Sequence, residues 1–156
     1  MRGLLTKNIF PINTNHKVER VFVDTDVCLD LLAGRAPHQH AALLLFSLAE
    51  QKKLTVIVSS LSFAKMDYIL RSTYGNFSSR EKLTLFKTLV EVAPVSEATI
   101  DLAIASSFTD FEDAIQYTCA LQQNIEYLIT RNLKDYKRAG IDVMTAETFL
   151  LLREQR

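Results

Sequence analysis

Apolar residues in this chain gather in short runs separated by longer stretches with helical spacing. Val21, Phe22 and Val23 form the first run, which ends at Asp24. Thr55 to Val58 form a second, ending in Ser59 and Ser60, and Tyr127 to Thr130 a later one. Runs this short, bounded by polar residues, read as buried strands. Ile141 to Met144 predicts the last strand. Val92 to Val95, interrupted by Pro94, predicts a weaker one, at an edge or shortened.

The intervening stretches read as helices. A short one follows Asp24 and is closed by Gly34. An amphipathic one runs from His38 to about Gln51, with Ala41, Leu44, Leu45 and Leu48 on its apolar face. Leu61 to Arg71 is apolar on nearly every side and predicts a well-buried helix. Gly75-Asn76 predicts a turn, and Ser78-Ser79-Arg80-Glu81 a capping box that opens another helix. Ser96 is expected to cap a helix through Ala105, Asp110 to open one to about Gln123, and Thr145 to cap the last. Arg131 to Gly140 reads as a polar connection. Strands alternating with helices predict an α/β fold, with a mainly parallel sheet covered on both faces. Residues 20–156 form one domain on this reading. Residues 1–19 are expected to be a poorly ordered arm, with a short strand around Ile9 as the alternative.

With 156 residues, 48% of them hydrophobic, the chain can bury a real core. Lys plus Arg equals Asp plus Glu at 18 each. That balance argues against strong nonspecific adhesion to nucleic acid or anionic membrane, which depends on excess positive charge. A nuclease needs only a local basic rim and stays open. Cys28 and Cys119 lack metal-ligand spacing and read as buried free thiols in a reducing cytoplasm. No apolar run approaches the ~20 residues of a membrane span, and the first residues do not read as a secretory signal. Glycine occurs only at positions 3, 34, 75 and 140, so a Gly-rich phosphate loop is excluded.

Three runs end in polar groups: Asp24, Ser59 and Thr130, the last followed by Arg131, Asn132 and Asp135. If the strands are parallel neighbours, their carboxyl ends converge on one crevice. Asp24 directly ends a buried strand, where a charge is costly unless a cation meets it. Asp110 and Asp113 share a face at a helix start, and the helix dipole there favours their ionised forms. Asp24, Asp110, Asp113 and Asp135 together would repel one another. A bound Mg²⁺ or Mn²⁺ would relieve this, since hard ions take oxygen ligands. Such a site can activate water and steady a leaving oxygen in phosphodiester cleavage. Plainer roles compete: Asp110 and Asp26 as N-caps, Asp30 facing solvent or anchoring backbone, and Asp135 stabilising its turn. His38 and His40 would point in different directions on a helix and read as surface residues.

Val-Phe-Val-Asp-Thr-Asp-Val-Cys-Leu-Asp-Leu-Leu, Asp-Phe-Glu-Asp-Ala-Ile-Gln and Leu-Ile-Thr-Arg-Asn-Leu-Lys-Asp-Tyr resemble, in that order, the blocks of PIN-domain proteins. The resemblance spans Val21 to Met144. It implies a three-layer α/β/α sandwich with a mainly parallel sheet of four to five strands. It further implies a metal-dependent, VapC-like ribonuclease, often the toxin of a toxin–antitoxin pair and usually a homodimer. By position, Asp24 matches the first acidic ligand, and Asp113, helped by Asp110, the third. Asn132 and Asp135 together cover the last, with Thr130 close by. Arg35, Lys65, Arg71, Arg131, Lys134 and Lys137 are the candidate RNA contacts, with Thr130 and Asn132 beside them.

The chain departs from the family at the second acidic position, where Ser-Leu-Ser-Phe-Ala-Lys brings Lys65 in place of a Glu. Asp67 is no substitute, because two helical residues point about 200° apart. Lys65 either points outward, leaving weaker metal binding, or puts its ammonium among the carboxylates in place of part of the metal's charge. Gripping a substrate phosphate is a third use. Two other readings stay open: a degenerate PIN domain that binds RNA or a partner protein without cutting, and a haloacid-dehalogenase-type phosphatase. In the latter, Asp24 would be the nucleophile and Asp26 the general acid.

Overall fold

The computed structural model describes residues 17–136 and 140–156. The expected arm or strand near Ile9, and Lys137, lie outside the described residues apart from the arm's last three positions. Among the described residues, five strands form one sheet: β1 (Arg20–Val23), β2 (Thr55–Ser59), β3 (Val90–Ala93), β4 (Tyr127–Ile129) and β5 (Asp142–Met144). Every neighbouring pair is parallel, in the order β3-β2-β1-β4-β5. The chain winds one way from β1 to β3, then returns to the other side of β1 with β4. Strand order therefore reverses between β1 and β4, and a crevice opens at their carboxyl ends.

Register explains the layers. Phe22 lies opposite Ile57 and Leu128, and its neighbour Val21 opposite Val56 and Tyr127. Successive side chains point to opposite faces. Val21, Val23, Val56, Val58 and Ile129 thus meet α1 (Thr25–Leu32), α2 (Gln39–Glu50), α3 (Ser60–Lys87) and α6 (Ala146–Glu154). Phe22, Ile57 and Leu128 meet α4 (Glu97–Ala105) and α5 (Phe111–Gln122). This is the expected three-layer α/β/α sandwich. A 3-10 turn, Leu133–Tyr136, interrupts the polar connection after β4.

Several local expectations shift. β3 comes two residues earlier than predicted, so that Pro94 follows the strand, but it is an edge strand as expected. In α2 the buried residues are Ala41, Ala42, Leu45 and Phe46, while Leu44 is exposed. The unbroken apolar run from Ala41 to Phe46 left the face undecided, and packing against the sheet selected it. α3 is less buried than its composition predicts: Met66 and Leu70 are covered, but Tyr68 is 69% exposed. Gly75 breaks the helix with φ 83, where a side chain would be strained, and the second leg resumes at once. The capping box predicted at Ser78–Glu81 is therefore absent. Ser79 lies inside the helix, buried, and its hydroxyl donates to Asp67 Oδ1 at 2.8 Å.

Candidate active site

β1 passes the chain to α1 at Asp24. The residue is extended (φ −69, ψ 153), and its Oδ1 accepts from the Thr25 backbone N–H at 2.7 Å. Asp24 is thus itself the cap of α1, and the cap role expected of Asp26 is corrected. Asp26 sits in the first turn, 3.8 Å from the Arg35 guanidinium. From β4's end, Thr130 Oγ1 donates to Asp24 Oδ2 at 2.8 Å. From α5, Gln116 Nε2 lies 3.3 Å from Asp24 Oδ1, 3.0 Å from Thr25 Oγ1 and 3.0 Å from Ser62 Oγ. Ser62, in the first turn of α3, also bonds Thr25 at 2.8 Å and Ser59 at 3.2 Å. The three strand ends singled out in the sequence therefore meet, joined by one buried hydrogen-bond network.

Sequence reasoning missed Gln116, Thr25 and Ser62. The available signal was a glutamine one turn after Asp113 on the inward face of a helix whose neighbours are apolar. Gln116 is fully buried and its Oε1 has no partner among the described residues. Burial pushes the Asp24 carboxyl above its ordinary range. The bonds from Thr130 and Thr25 oppose the shift, and the charges of Asp26 and Glu112 add to it.

Asp113 enters from the start of α5. Asp110 caps this helix, as expected, its Oδ1 accepting from the Asp113 N–H at 3.0 Å. Asp113 is buried, and the Tyr136 hydroxyl donates to its Oδ1 at 3.2 Å. Burial first, then the charges of Asp24, Asp110 and Asp135, push its pKa up to about 7, with the Tyr136 bond lowering it. All four predicted acids thus share one field. Asp135 is exposed on the 3-10 turn, where its N–H donates to the Asn132 carbonyl at 3.1 Å. Asn132 N–H donates to Thr130 Oγ1 at 3.1 Å, tying this loop to the β4 end. Tyr136 was not anticipated; burial raises its pKa, so it keeps its proton to donate.

A raised carboxyl pKa in the folded state means that the native form holds its proton more tightly than the unfolded chain. Asp113 therefore adds stability at pH below about 4, the unfolded value, and this contribution is lost as pH rises through about 7. In chelator, the melting temperature of the wild type relative to Asp113→Asn is expected to fall by roughly 5 °C between pH 4 and pH 7.5. A pH-independent difference would mean that Asp113 is not held protonated.

Lys65 reaches from α3 to α5. Its Nζ donates to Glu112 Oε1 at 2.8 Å and Oε2 at 2.9 Å. Burial works against its charge, yet Glu112, and then Asp26 and Asp24, hold its pKa up. The ammonium thus pairs with a carboxylate that sequence reasoning passed over. Arg131 Nε lies 3.0 Å from Oδ2 of Asp30, which is buried. The reading of Asp30 as solvent-facing is corrected: its backbone carbonyl accepts from Arg35 N–H, and its carboxylate meets Arg131. Arg71 pairs with Asp67 at 3.9 Å, and Lys134 is exposed on the 3-10 turn.

Among the described residues, no three His, Cys, Asp or Glu side chains stand close enough to chelate one ion. This disfavours a closed cage of protein ligands. A hard divalent ion held through one or two carboxylates, with water filling the remaining positions, needs no such cage. Asp24 and Asp113 fit that mode, being acidic, oxygen-only and mutually repulsive when both are ionised.

Residues 20–134 match the family model described as PIN domain. Ribonuclease VapC1 of Aquifex aeolicus is 27% identical over 139 residues, covering 84% of this chain and 93% of that protein. Among solved structures, Mycobacterium tuberculosis VapC20, a sarcin-ricin loop cleaving toxin, superposes with TM-score 0.60 at 21% identity, covering 78% of this chain and 95% of that one. DNA-bound VapBC from Salmonella typhimurium gives TM-score 0.63 at 14% identity, covering 82% and 98%. A toxin–antitoxin complex from Klebsiella pneumoniae gives 0.61 at 21%, covering 81% and 97%. At these identities the structural likeness speaks to the fold.

Proposed function

The chain belongs to the PIN-domain family, and from that premise we propose that it is a metal-dependent endoribonuclease, the toxin of a toxin–antitoxin pair. The observation that carries this reading is Asp24 at the reversal of strand order, bonded to Thr130 from β4 and to Gln116 of α5, the helix that also carries Asp113. Likeness to Ribonuclease VapC1 supports the same chemistry. On this reading Asp24 and Asp113 hold Mg²⁺ or Mn²⁺, and Asp110 and Asp135 hold further negative charge around it. When bound, the ion would activate water and stabilise the leaving oxygen.

The protein's own groups do the positioning. Thr130, Thr25 N–H and Gln116 fix the plane of the Asp24 carboxylate, and Tyr136 orients Asp113. Arg35, Arg131, Lys134 and Asn132 are proposed to meet RNA along the rim, with Lys65 and Arg71 of α3 as further candidate contacts. An antitoxin protein and a second copy of the chain are the proposed partners. Large exposed apolar residues on α3 (Tyr68, Phe77, Leu85) and α4 (Leu102, Ile104) supply surface for them. Among the described residues no helix is long and apolar enough to cross a membrane; a cytoplasmic location is part of the proposal. The phosphatase alternative is less favoured, because Asp26 is engaged by Arg35 and the Thr130–Asn132 loop would have no role.

The test is cleavage of single-stranded RNA with Mn²⁺, with Mg²⁺ and in chelator, beside a phosphate-monoester assay. Cleavage that needs the metal and is lost in Asp113→Asn is expected. Monoester turnover without RNA cleavage would replace this reading with the phosphatase. RNA binding without cleavage under any metal would replace it with the degenerate domain.

A further inference from the structure

We infer that Lys65, clamped on Glu112, stands in for a second divalent cation, so that the crevice takes one ion of Mg²⁺ or Mn²⁺ and not a pair. This rests on the metal-dependent reading above and specifies how many ions that site holds. Phosphodiester cleavage can be run by one ion or by two held about 3.5–4 Å apart, and the choice depends on which carboxylates are free.

The geometry around Lys65 bears on that choice. Lys65 stands one turn beyond Ser62 on the same face of α3, and Ser62 is bonded to Thr25 and to Gln116, the partners of Asp24. Glu112 adjoins Asp113 at the start of α5. The ammonium therefore ties α3, a turn beyond the partners of Asp24, to the start of α5, 2.8 and 2.9 Å from the two Glu112 oxygens. With both oxygens engaged by a cation, Glu112 is withdrawn as a ligand for a metal. Asp110, whose Oδ1 caps α5, and Asp135 are exposed to solvent at the rim.

Among the described residues Asp24, Asp30 and Asp113 are the buried carboxylates, and Asp30 is held by Arg131, so Asp24 and Asp113 remain, enough for one hydrated ion. A dication brought beside Glu112 would also feel the fixed positive charge of Lys65 at close range, in a partly buried setting where screening is weak. The lysine thus supplies compensating charge and, by the same contact, keeps a second metal out. Removing it would free Glu112 and the space beside it.

The experiment is an Mn²⁺ titration of the full chain, read as ions bound per chain by the EPR signal of free Mn²⁺ and by calorimetry. One ion is expected for the wild type and two for Lys65→Glu. Lys65→Gln, which frees Glu112 without adding charge, is also expected to gain a second ion and serves if the Glu variant does not fold. Two ions in the wild type would overturn the inference while leaving the metal-dependent reading intact. One ion in the wild type and in both variants would overturn it as well, since the lysine would not be what limits the number. No bound ion in the wild type would instead sink the metal-dependent reading, and the inference with it.

Discussion

Asp24→Asn is expected to lower Mn²⁺-dependent RNA cleavage by at least about 10²-fold while leaving the fold intact, the scale on which loss of a metal-supporting group acts. The substitution is nearly isosteric. Its carbonyl oxygen can still accept from Thr25 N–H, and the Thr130 hydroxyl can turn to accept from the new amide. What disappears is a buried negative charge at the centre of the acidic field. Because Asp24 is one of the charges that push Asp113 up, the Asp113 pKa should fall toward its ordinary value in the variant. Stability in chelator at neutral pH should therefore hold or rise as activity falls. Rates at saturating Mn²⁺ and chelator melts check the two halves. An Asp24→Asn protein that still cleaves RNA at near the wild-type rate would remove Asp24 from the site. One that loses activity only because it unfolds would make Asp24 a structural cap.

Phe22→Ala should cost about 3–5 kcal/mol of stability, the range for emptying a buried aromatic site. Phe22 is fully buried at the centre of β1. It packs among Ile57 and Leu128 from the flanking strands and Ala114 and Ile115 from α5. Ala114 is too small to fill the gap and the β-branched Ile115 is stiff at χ1, so relaxation should be slight. Against a total stability of about 5–15 kcal/mol, this loss would leave the domain marginal. It would also loosen the contact of α5 with β1, which sets Gln116 and Asp113 against Asp24. Denaturant unfolding should show the midpoint shift, and a cost below about 1 kcal/mol would mean that α5 collapses onto the sheet. Phe77→Ser, on a side chain 78% exposed, should change stability by no more than about 0.5 kcal/mol.

Much of this molecule is legible in its sequence. Short apolar runs alternating with helical spacing can be satisfied in few ways, so the strand and helix types, the edge position of β3 and the helices on both faces of a parallel sheet followed from local pattern. Strand ends at Asp24, Ser59 and Thr130 could be expected to converge because parallel connections bring carboxyl ends to one side. The caps at Asp110, Ser96 and Thr145 were equally local, since each depends on a side chain and an N–H a few residues on.

Only the tertiary structure decided how those local pieces were spent. The second oxygen of Asp24 finds its donor only where β4 delivers Thr130, more than a hundred residues away in the chain. Leu44 and Leu45 are equally apolar, and the sheet chose between them. Gln116 looks like any polar helical residue until three strand ends close around it and bury it. Lys65 could have reached several carboxylates, and the approach of α3 to α5 selected Glu112. Hydrophobic periodicity and capping are encoded within a few residues and can be read from a line of text. The partner of a long polar side chain is set by distances between elements, and those exist only once the sheet has assembled.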